Sequence, residues 1–291
     1  ELASTPVVPC CMRLARTFLR RRRRGTPSRT LATMPAKPPC FLTEEWTKLA
    51  LRETKQVNHD SKLLEFALPS SEESLQLPVC ACLLLKAPGK GENGDDVVRP
   101  YTPVSDDLRK GSFDLLVKVY EKGTASKFLG DLKSGDEVEF KHIPFNVKEQ
   151  YPFGKKSIVM LAGGSGITPM FQALQSIFRD DGFDDDLKVT LLYGNKTEKD
   201  ILLQEELEEI QATNLGRLEI VNILSESSWD GETGFIDGEK IKKFCPPPSD
   251  SQLVFVCGPP PMYESLCGPR GESEVTGILA KLGYSNEVVK F

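Results

Sequence analysis

The stretch Gly163-Gly164-Ser165-Gly166-Ile167-Thr168-Pro169-Met170 decides the fold of this chain. It follows an apolar run, Ser157 to Ala162, and it opens a segment of helical character, Met170 to Phe178. Glycines allow a backbone to approach a ligand closely, and we expect Thr168 to cap the helix and Pro169 to occupy its first turn. The free N–H groups and the dipole of such a helix start favour a diphosphate. One glycine motif is weak evidence, so a tight turn that binds nothing is the alternative.

Strand and helix patterns alternate after this motif. The predicted elements are strands at Lys188 to Tyr193, Leu218 to Leu224 and Leu253 to Cys257, helices at Leu203 to Ala212 and Val275 to Leu282, and a short terminal strand that ends at Phe291. Continuous apolar strands that alternate with helices predict a parallel sheet covered on both faces, as in a Rossmann-like α/β domain.

The part of the chain before the motif has a different pattern. Short β-like runs at 46–56, 62–68, 79–86, 97–104, 113–120 and 136–143 are separated by turn residues, and a short helix is expected near Ala125 to Leu132. Six strands at this spacing predict an antiparallel β-barrel. We therefore predict two domains, a six-stranded antiparallel β-barrel at 44–143 and a Rossmann-like parallel-sheet domain at 157–291, joined by a linker at 144–156.

Charge is distributed unevenly along the chain. Residues 1–43 contain nine Arg and Lys residues against Glu1, a net charge of +8, so that the remaining residues carry −13. An Arg-rich, acid-poor and unstructured segment of this kind is typical of a mitochondrial transit peptide, and the alternative is a disordered basic tail. We find no apolar run long enough to span a membrane as a helix, which leaves peripheral association, for instance with the outer mitochondrial membrane, open. We expect a monomer that does not bind nucleic acid.

Two further motifs carry chemistry. Cys257-Gly258-Pro259-Pro260-Pro261-Met262 follows an apolar strand, where ligands of open α/β sheets bind, and its prolines are expected to hold Cys257 rigidly. Arg99-Pro100-Tyr101-Thr102-Pro103-Val104-Ser105 offers a permanent cation for phosphate, an aromatic face and two hydroxyl groups. The alternatives are a loop stiffened for stability and an edge strand with a solvated Arg.

Cysteine and histidine usage argues against a metal centre. The chain has eight Cys without a Cys-x-x-Cys pair, and its only His residues are His59 and His142. Cys80 and Cys82 are expected on one face of a strand, where two neighbours do not bridge readily, so free buried thiols are the plain interpretation. We predict no metal site.

The three motifs, in this order and together with Gly123 to Ser126, resemble the ferredoxin-NADP reductase superfamily and, within it, the NADH-cytochrome b5 reductases. The resemblance covers about residues 46–291, and Asn195 to Leu203 and the terminal Lys290-Phe291 agree with it. It implies a flavin reductase that binds FAD in the barrel domain, takes hydride from NADH and passes single electrons to cytochrome b5.

The resemblance also assigns roles to individual residues. Arg99 would pair with the FAD diphosphate, Tyr101 would pack on the flavin, and Thr102 would lie near its reactive edge. Thr168 and Cys257 would position the nicotinamide, which makes Tyr101, Thr102, Thr168 and Cys257 the predicted catalytic set. The other predicted cofactor-binding residues are His59, Pro100, Ser105, Val117, Lys118, Val119, Tyr120, Thr124, Ala125, Ser126, Gly163, Gly164, Gly166, Pro169, Asp200, Gly258, Pro259, Met262 and Phe291.

Selection of NADH is expected from Asp200, which matches the family position associated with that choice. A carboxylate near the adenosine ribose accepts hydrogen bonds from its hydroxyl groups and repels a 2′-phosphate. Lys196 argues mildly the other way.

The chain departs from the family pattern at Gly123-Thr124-Ala125-Ser126, where Gly-Gly-x-Met-Ser is more frequent, and at Lys141 to Asn146, which lacks Gly-Pro-x-Gly. The contacts at the adenine end of FAD are therefore open. Lys155 and Lys156 are candidates for a basic docking patch for the acceptor, or a solvated pair. The rival functions are a related reductase with a quinone or ferric acceptor and a non-catalytic nucleotide-binding module.

Overall fold

The computed structural model describes residues 39–144, 147–149, 151–179, 186–226 and 229–291. Most of the predicted transit peptide, with Cys10 and Cys11, and part of the departing segment near Asn146 lie outside the described residues. None of the described helices combines the length and apolar character needed to cross a bilayer.

The first lobe is a six-stranded antiparallel sheet. Its strands are β1 (Thr47–Gln56), β2 (Ser61–Ala67), β3 (Leu83–Ala87), β4 (Val97–Tyr101), β5 (Ser112–Lys118) and β6 (Glu137–His142). They pair in the order β4-β3-β6-β1-β2-β5. The predicted strand number and direction are confirmed, but the sheet is a half-barrel, since the outer strands β4 and β5 form no ladder with each other in the described residues.

The gap between the outer strands is covered by helix α1 (Thr124–Asp131), which contacts β3, β4 and β5. The concave side of the sheet is filled by Phe66, Phe113 and Phe140, whose ring centroids lie 4.8 to 5.7 Å apart. Burial of these aromatic side chains provides the apolar area that holds the half-barrel together.

The second lobe is a parallel sheet with helices. It contains β7 (Ser157–Gly163), α2 (Ile167–Ile177), β8 (Lys188–Asn195), α3 (Gln204–Thr213), β9 (Leu218–Leu224), β10 (Glu232–Thr233), α4 (Gly238–Phe244), β11 (Gln252–Cys257), α5 (Pro260–Leu266), α6 (Gly277–Lys281) and β12 (Val288–Lys290). The strand order β10-β9-β8-β7-β11-β12 reverses direction between β7 and β11. Ligands of open α/β sheets bind at such a switch point, at the carboxyl ends of the strands.

Two strand boundaries in the first lobe differ from the prediction by more than two residues. Strand β3 begins at Leu83 and not at residue 79, because Cys80 has φ +64 and turns the chain. The expectation that Cys80 and Cys82 share a strand face is therefore wrong. Strand β4 ends at Tyr101, two residues before Pro103, which has no N–H group to donate to a ladder.

The conformation of the proline triplet also differs from the expectation. Pro260 and Pro261 do not extend a stiff loop but form the first turn of α5, where the missing N–H groups cost nothing. Helix α4 was not predicted.

The two lobes share one apolar cluster. Val79, Val104 and Leu116 of the first lobe pack in it with residues of the second, including Ile158 and Met170. The predicted linker contributes as well, since Phe153 is buried and its ring packs at 5.5 Å on that of Phe255. The cleft between the lobes is thus formed by surfaces that a common core holds in place.

Candidate cofactor site

The edge strand β4 and helix α1 form a cradle for an anion. Val97, Arg99 and Tyr101 lie on one face of β4, and Val97 packs against Ala125 of α1. The Arg99 side chain is exposed, and among the described residues its hydrogen bond goes to the carbonyl oxygen of Val98, at 2.8 Å. Helix α1 has no side-chain cap, so the N–H groups of its first turn face outward.

The turn before α1 has no room for a side chain. A Cβ atom on Gly123 would lie 2.1 Å from Oγ of Ser126, which accepts a hydrogen bond from the backbone N–H of Tyr120. Beside this turn is an open cavity of about 390 Å³ lined by Lys90, Lys122, Gly123, Thr124, Lys127 and Phe128, with Glu121 and Asp131. Cations, free N–H groups and an aromatic ring together suit the diphosphate and adenine of FAD.

The residues at and after the end of β5, which lead into this turn, alternate between the core and the cleft. The side chains of Val117 and Val119 pack into the core of the first lobe, so only their backbone can contact a cofactor. Tyr120 is half exposed, and its hydroxyl oxygen lies 3.3 Å from Oγ of Ser165 in the second lobe. Ser105 is buried and accepts a hydrogen bond from the Asp114 backbone.

Tyr101 lies close to both Arg99 and Tyr120. Burial raises the pKa of the Tyr101 hydroxyl to about 12, and the charge of Arg99 lowers it in part. Tyr101 is therefore a neutral hydrogen-bonding group at physiological pH. Pro100 and Thr102, on either side of it, are half-buried at the end of β4.

The glycine loop and the Cys257 loop are in direct backbone contact. A Cβ atom on Gly166 would lie 2.1 Å from the carbonyl oxygen of Cys257, and one on Gly163 would lie 2.7 Å from Sδ of Met262. A Cβ atom on Gly258 would lie 2.4 Å from the same sulfur. Glycine is required at position 166, because the atoms that its Cβ would meet are backbone atoms of the Cys257 loop, whereas the flexible Met262 side chain could move away from positions 163 and 258.

The open side of the glycine loop faces the cleft. Gly164 has φ +52, and no atom lies within 4 Å of the position of its Cβ. The expected cap is absent: Gly164–Gly166 form a 3₁₀ turn, α2 begins at Ile167, and Thr168 donates to the carbonyl oxygen of Ser165 at 3.3 Å. Pro169 is buried in the first turn, as predicted. A backbone surface of this shape can accept a dinucleotide diphosphate.

Cys257 is held as a neutral thiol. Burial raises its pKa to about 11, although contact with Tyr263 and the charge of Arg270 act in the opposite direction. The loop is fixed from behind, where the Tyr263 hydroxyl donates to the carbonyl oxygens of Val256 and Phe291. The ring of Phe291 packs on Phe255, and Pro259 precedes α5. A neutral thiol is suited to contact a nicotinamide and not to attack it.

A charged cluster joins the lobes at the far side of the cleft. Nζ of Lys118 lies 2.8 Å from Asp60 and 3.3 Å from Asp200 of the second lobe. His59 lies 3.5 Å from Asp60 and 3.7 Å from Asp200, and Asn58 donates to the carbonyl oxygen of Lys199. The ammonium group of Lys118 neutralises the Asp60 and Asp200 carboxylates, which would otherwise be available to a metal ion.

The cluster engages both oxygens of Asp200. Oδ1 contacts Lys118, while Oδ2 accepts from the backbone and the hydroxyl of Thr197 at 3.0 and 2.7 Å. Burial alone would raise the pKa of Asp200, but the bonds from Thr197 and Lys118 outweigh it, and the pKa is lowered. Asp200 therefore links the second lobe to Lys118 of the first. A role of Asp200 in the choice of NADH stays a prediction.

The sequence motifs missed several residues at this site. Phe235 is 78 % exposed, and it precedes Ile236, which packs 3.8 Å from the Cβ position of Gly194 at the end of β8. Lys196 and Glu226 form an ion pair at 3.1 Å beside it, and Gln172 of α2 bonds to the first lobe. The spacing Thr168 to Gln172, one helical turn, was an available signal for Gln172.

Comparisons with known proteins agree with this geometry. Residues 48–144 match the model of the oxidoreductase FAD-binding domain, and residues 160–268 match that of the oxidoreductase NAD-binding domain. The chain is 40% identical over 256 residues to NADH-cytochrome b5 reductase 2 of Scheffersomyces stipitis. The matched residues make up 85% of this chain and 84% of the relative. The chain belongs to the NADH-cytochrome b5 reductase family. The reductase of that name from Aspergillus fumigatus is 40% identical over 272 residues, which covers 88% of this chain and 82% of the relative.

A solved structure supports the same assignment. The cytochrome b5 reductase domain of Ulva prolifera nitrate reductase superposes with a TM-score of 0.75 at 29% identity, over 87% of this chain and all of that domain. The chain is thus an oxidoreductase that uses FAD and NADH, and the predicted family, fold and cofactors are confirmed. The roles of the individual side chains stay predictions.

The loop contact generates a test. We expect Gly166→Ala to retain FAD, because the first lobe is untouched, but to be reduced by NADH about a hundredfold more slowly, since the new methyl group displaces the Cys257 loop by about 1 Å. The measurement is anaerobic bleaching of the flavin absorbance after mixing with NADH. Gly271→Ala is the matched control, because no atom lies within 4 Å of its Cβ position. Equal rates for both variants would contradict the role of the contact.

Proposed function

We propose that this reductase transfers electrons from NADH, through FAD, to a cytochrome b5-type haem protein. The observation that carries the proposal is the name of the relatives, NADH-cytochrome b5 reductase 2, which are about 40% identical over most of the chain. When bound, FAD accepts hydride from NADH and can release the two electrons separately, which matches a two-electron donor to a one-electron acceptor.

The residues of this chain supply position and environment for that chemistry. The cradle of Arg99 and α1 would hold the FAD diphosphate, and Tyr101 would pack on the flavin. The glycine loop and the neutral Cys257 thiol would place the nicotinamide on the opposite side of the cleft. Orientation of the two reactants is the main contribution that the protein makes, and it can account for several kcal/mol of the barrier.

The acceptor decides between this proposal and a quinone or ferric reductase. We expect kcat/KM for cytochrome b5 to exceed that for a soluble quinone or a ferric chelate at least tenfold, since a shaped protein surface selects its partner. Steady-state reduction of the three acceptors at one NADH concentration measures this, with ferricyanide as a reporter of flavin reduction alone. Rapid ferricyanide and quinone reduction together with slow haem reduction would replace cytochrome b5 by the rival acceptor.

The predicted docking patch receives no support from the fold. Lys155 and Lys156 precede β7, so they lie at the amino edge of the parallel sheet. The glycine loop lies at the other end of β7, about 20 Å away at 3.3 Å per residue. The Lys155 ammonium group also donates to the carbonyl oxygen of Asp250.

We assign the choice between NADH and NADPH to Lys196 and Glu226. Both residues follow the carboxyl ends of adjacent strands, β8 and β9, where the adenosine of a dinucleotide is expected. They are more than half exposed, and a backbone bond from Glu226 to Lys196 continues the strand pairing. Lys196 alone would attract a 2′-phosphate, but the carboxylate of Glu226 occupies its ammonium group and repels that phosphate. The exposed ring of Phe235 nearby suits an adenine.

We expect Glu226→Gln to raise kcat/KM for NADPH about tenfold and to change the value for NADH less than threefold, because it releases Lys196 for the 2′-phosphate. Adding Lys196→Ala should remove the gain. Steady-state ferricyanide reduction with each nucleotide measures both. The control is Glu72→Gln, which breaks a similarly exposed pair with Lys110 in the first lobe. An unchanged NADPH value in Glu226→Gln would refute the assignment.

We also propose that the chain is directed to mitochondria by residues 1–43. The support is the net charge of +8 on a segment that contains a single acid. Fused to a fluorescent protein, residues 1–43 should direct it to mitochondria, whereas the same segment with Arg20 to Arg24 changed to Ser should leave it diffuse. Diffuse fluorescence of both fusions would refute this proposal. Peripheral membrane association and a monomeric state stay expectations.

A further inference from the structure

One face of helix α2 is bonded to the flavin-binding lobe along its length. Gln172 and Gln175 lie on one face of α2, and Arg179 follows two residues after the helix ends at Ile177. Gln175 donates to the carbonyl oxygen of Val104 at 3.2 Å, and Arg179 pairs with Asp107 at 2.5 Å. The seam encloses a cavity of only about 10 Å³, room for about one water molecule, so the two surfaces are closely packed.

Gln172 makes the most buried of these contacts. Its side chain is 7% exposed, and its Oε1 accepts from the backbone N–H of Cys80 at 2.9 Å. Its Nε2 donates to the carbonyl oxygen of Ala81 at 3.4 Å. The amide orientation is determined by the partners, because the N–H of Cys80 requires an acceptor and the carbonyl of Ala81 requires a donor.

The backbone that Gln172 binds has an unfavourable conformation. Cys80 has φ +64, a left-handed conformation that side chains other than Asn and Asp rarely adopt, and it is buried in the core shared by the lobes. The turn leads directly into β3, which pairs with Tyr101 through Leu83. A strained turn of this kind persists only where its surroundings hold it.

The amino end of α2 follows the nicotinamide loop, which is the glycine loop Gly163–Gly166 that would hold that ring. Gln172 follows Thr168 by one helical turn, and α2 begins directly after the 3₁₀ turn Gly164–Gly166. A short helix is a rigid body, so whatever fixes Gln172 also fixes Thr168. The amide thus connects the loop that would hold NADH to the strand pair that carries Tyr101.

We propose that Gln172 is a positioning residue for hydride transfer: its two hydrogen bonds to Cys80 and Ala81 set the distance of the nicotinamide loop from the flavin-binding lobe. Gln172 touches neither reactant. The proposal rests on the use of NADH and FAD, which the family membership establishes, and does not depend on the electron acceptor.

The test is the rate of flavin reduction by NADH in Gln172→Leu and Gln172→Glu, with FAD content confirmed by absorbance. Leu removes both bonds, and we expect a ten- to hundredfold slower reduction with less than a threefold change in the Kd of NADH. Reduction with NADH deuterated at the transferred position should show an isotope effect at least as large as in the parent protein. Glu keeps the acceptor for Cys80 and loses the donor to Ala81, so its rate should be intermediate.

Gln175→Leu is the matched control, since it removes an amide bond to the same lobe at a position three residues after Gln172 and about one turn further from the loop. Its reduction rate should stay within threefold of the parent. Gln172→Leu variants that melt at a lower temperature but are reduced at the parental rate would overturn the proposal, because the amide would then serve stability alone.

If Gln172→Leu does not fold, the double variant Gln172→Leu, Cys80→Gly takes its place, since glycine adopts φ +64 without strain. A slow reduction rate in the folded double variant supports the proposal. Full recovery of the rate would overturn it, because support of the Cys80 turn would then be the whole role of Gln172.

Discussion

The contact between the backbone at Gly166 and the carbonyl group of Cys257 is the constraint on which the site depends. The register of the parallel sheet brings it about, since Cys257 pairs with Ala162 at the ends of β11 and β7. Both strands end at the switch point, and the helices that follow them pack on opposite faces of the sheet, α2 with Met160 and α5 with Leu161. Any side chain at position 166 would require the space of that carbonyl oxygen. The requirement for glycine at position 166 therefore follows from the sheet topology. The open space beside Gly164 is available to a ligand.

The pKa of each ionisable group at the cleft depends on whether a group of opposite charge contacts it. Cys257 and Tyr101 are half-buried, and desolvation outweighs the contacts that would favour a negative charge, so it raises their pKa values to about 11 and 12. Lys118 is also partly buried, which alone would lower its pKa, but Asp60 and Asp200 outweigh this and raise it. Tyr101 and Cys257 are thus neutral, whereas Lys118, Asp60 and Asp200 are charged and paired at the seam between the lobes. Hydride transfer benefits from such a site, because no side chain there competes for the proton or the electron pair.

Much of the fold follows from local sequence patterns. Strands β7 and β11 are apolar after their first residue, and the glycine motif that follows β7 predicted the cofactor loop. Closure of the first sheet could not be predicted, because it depends on contacts between β4 and β5, which are close in sequence but lie at opposite edges. The turn at Cys80 also escaped prediction, since cysteine is unfavourable at positive φ and tertiary contacts hold it there, among them the bonds to Gln172 and from the Lys148 backbone. The helix at Pro260 did carry a signal, as proline is favoured in a first turn.

The seam between the lobes combines two kinds of interaction. On the α2 side, buried amide bonds and a shared apolar core demand one geometry, because an unpaired buried N–H or carbonyl group is costly. On the Asp200 side, Lys118 and Asp200 are largely buried, so separating them would leave a buried charge without its partner. A dinucleotide that enters the cleft must pass between these two sides. Both sides of the seam therefore hold the two lobes together, the α2 side through amide bonds and the Asp200 side through an ion pair.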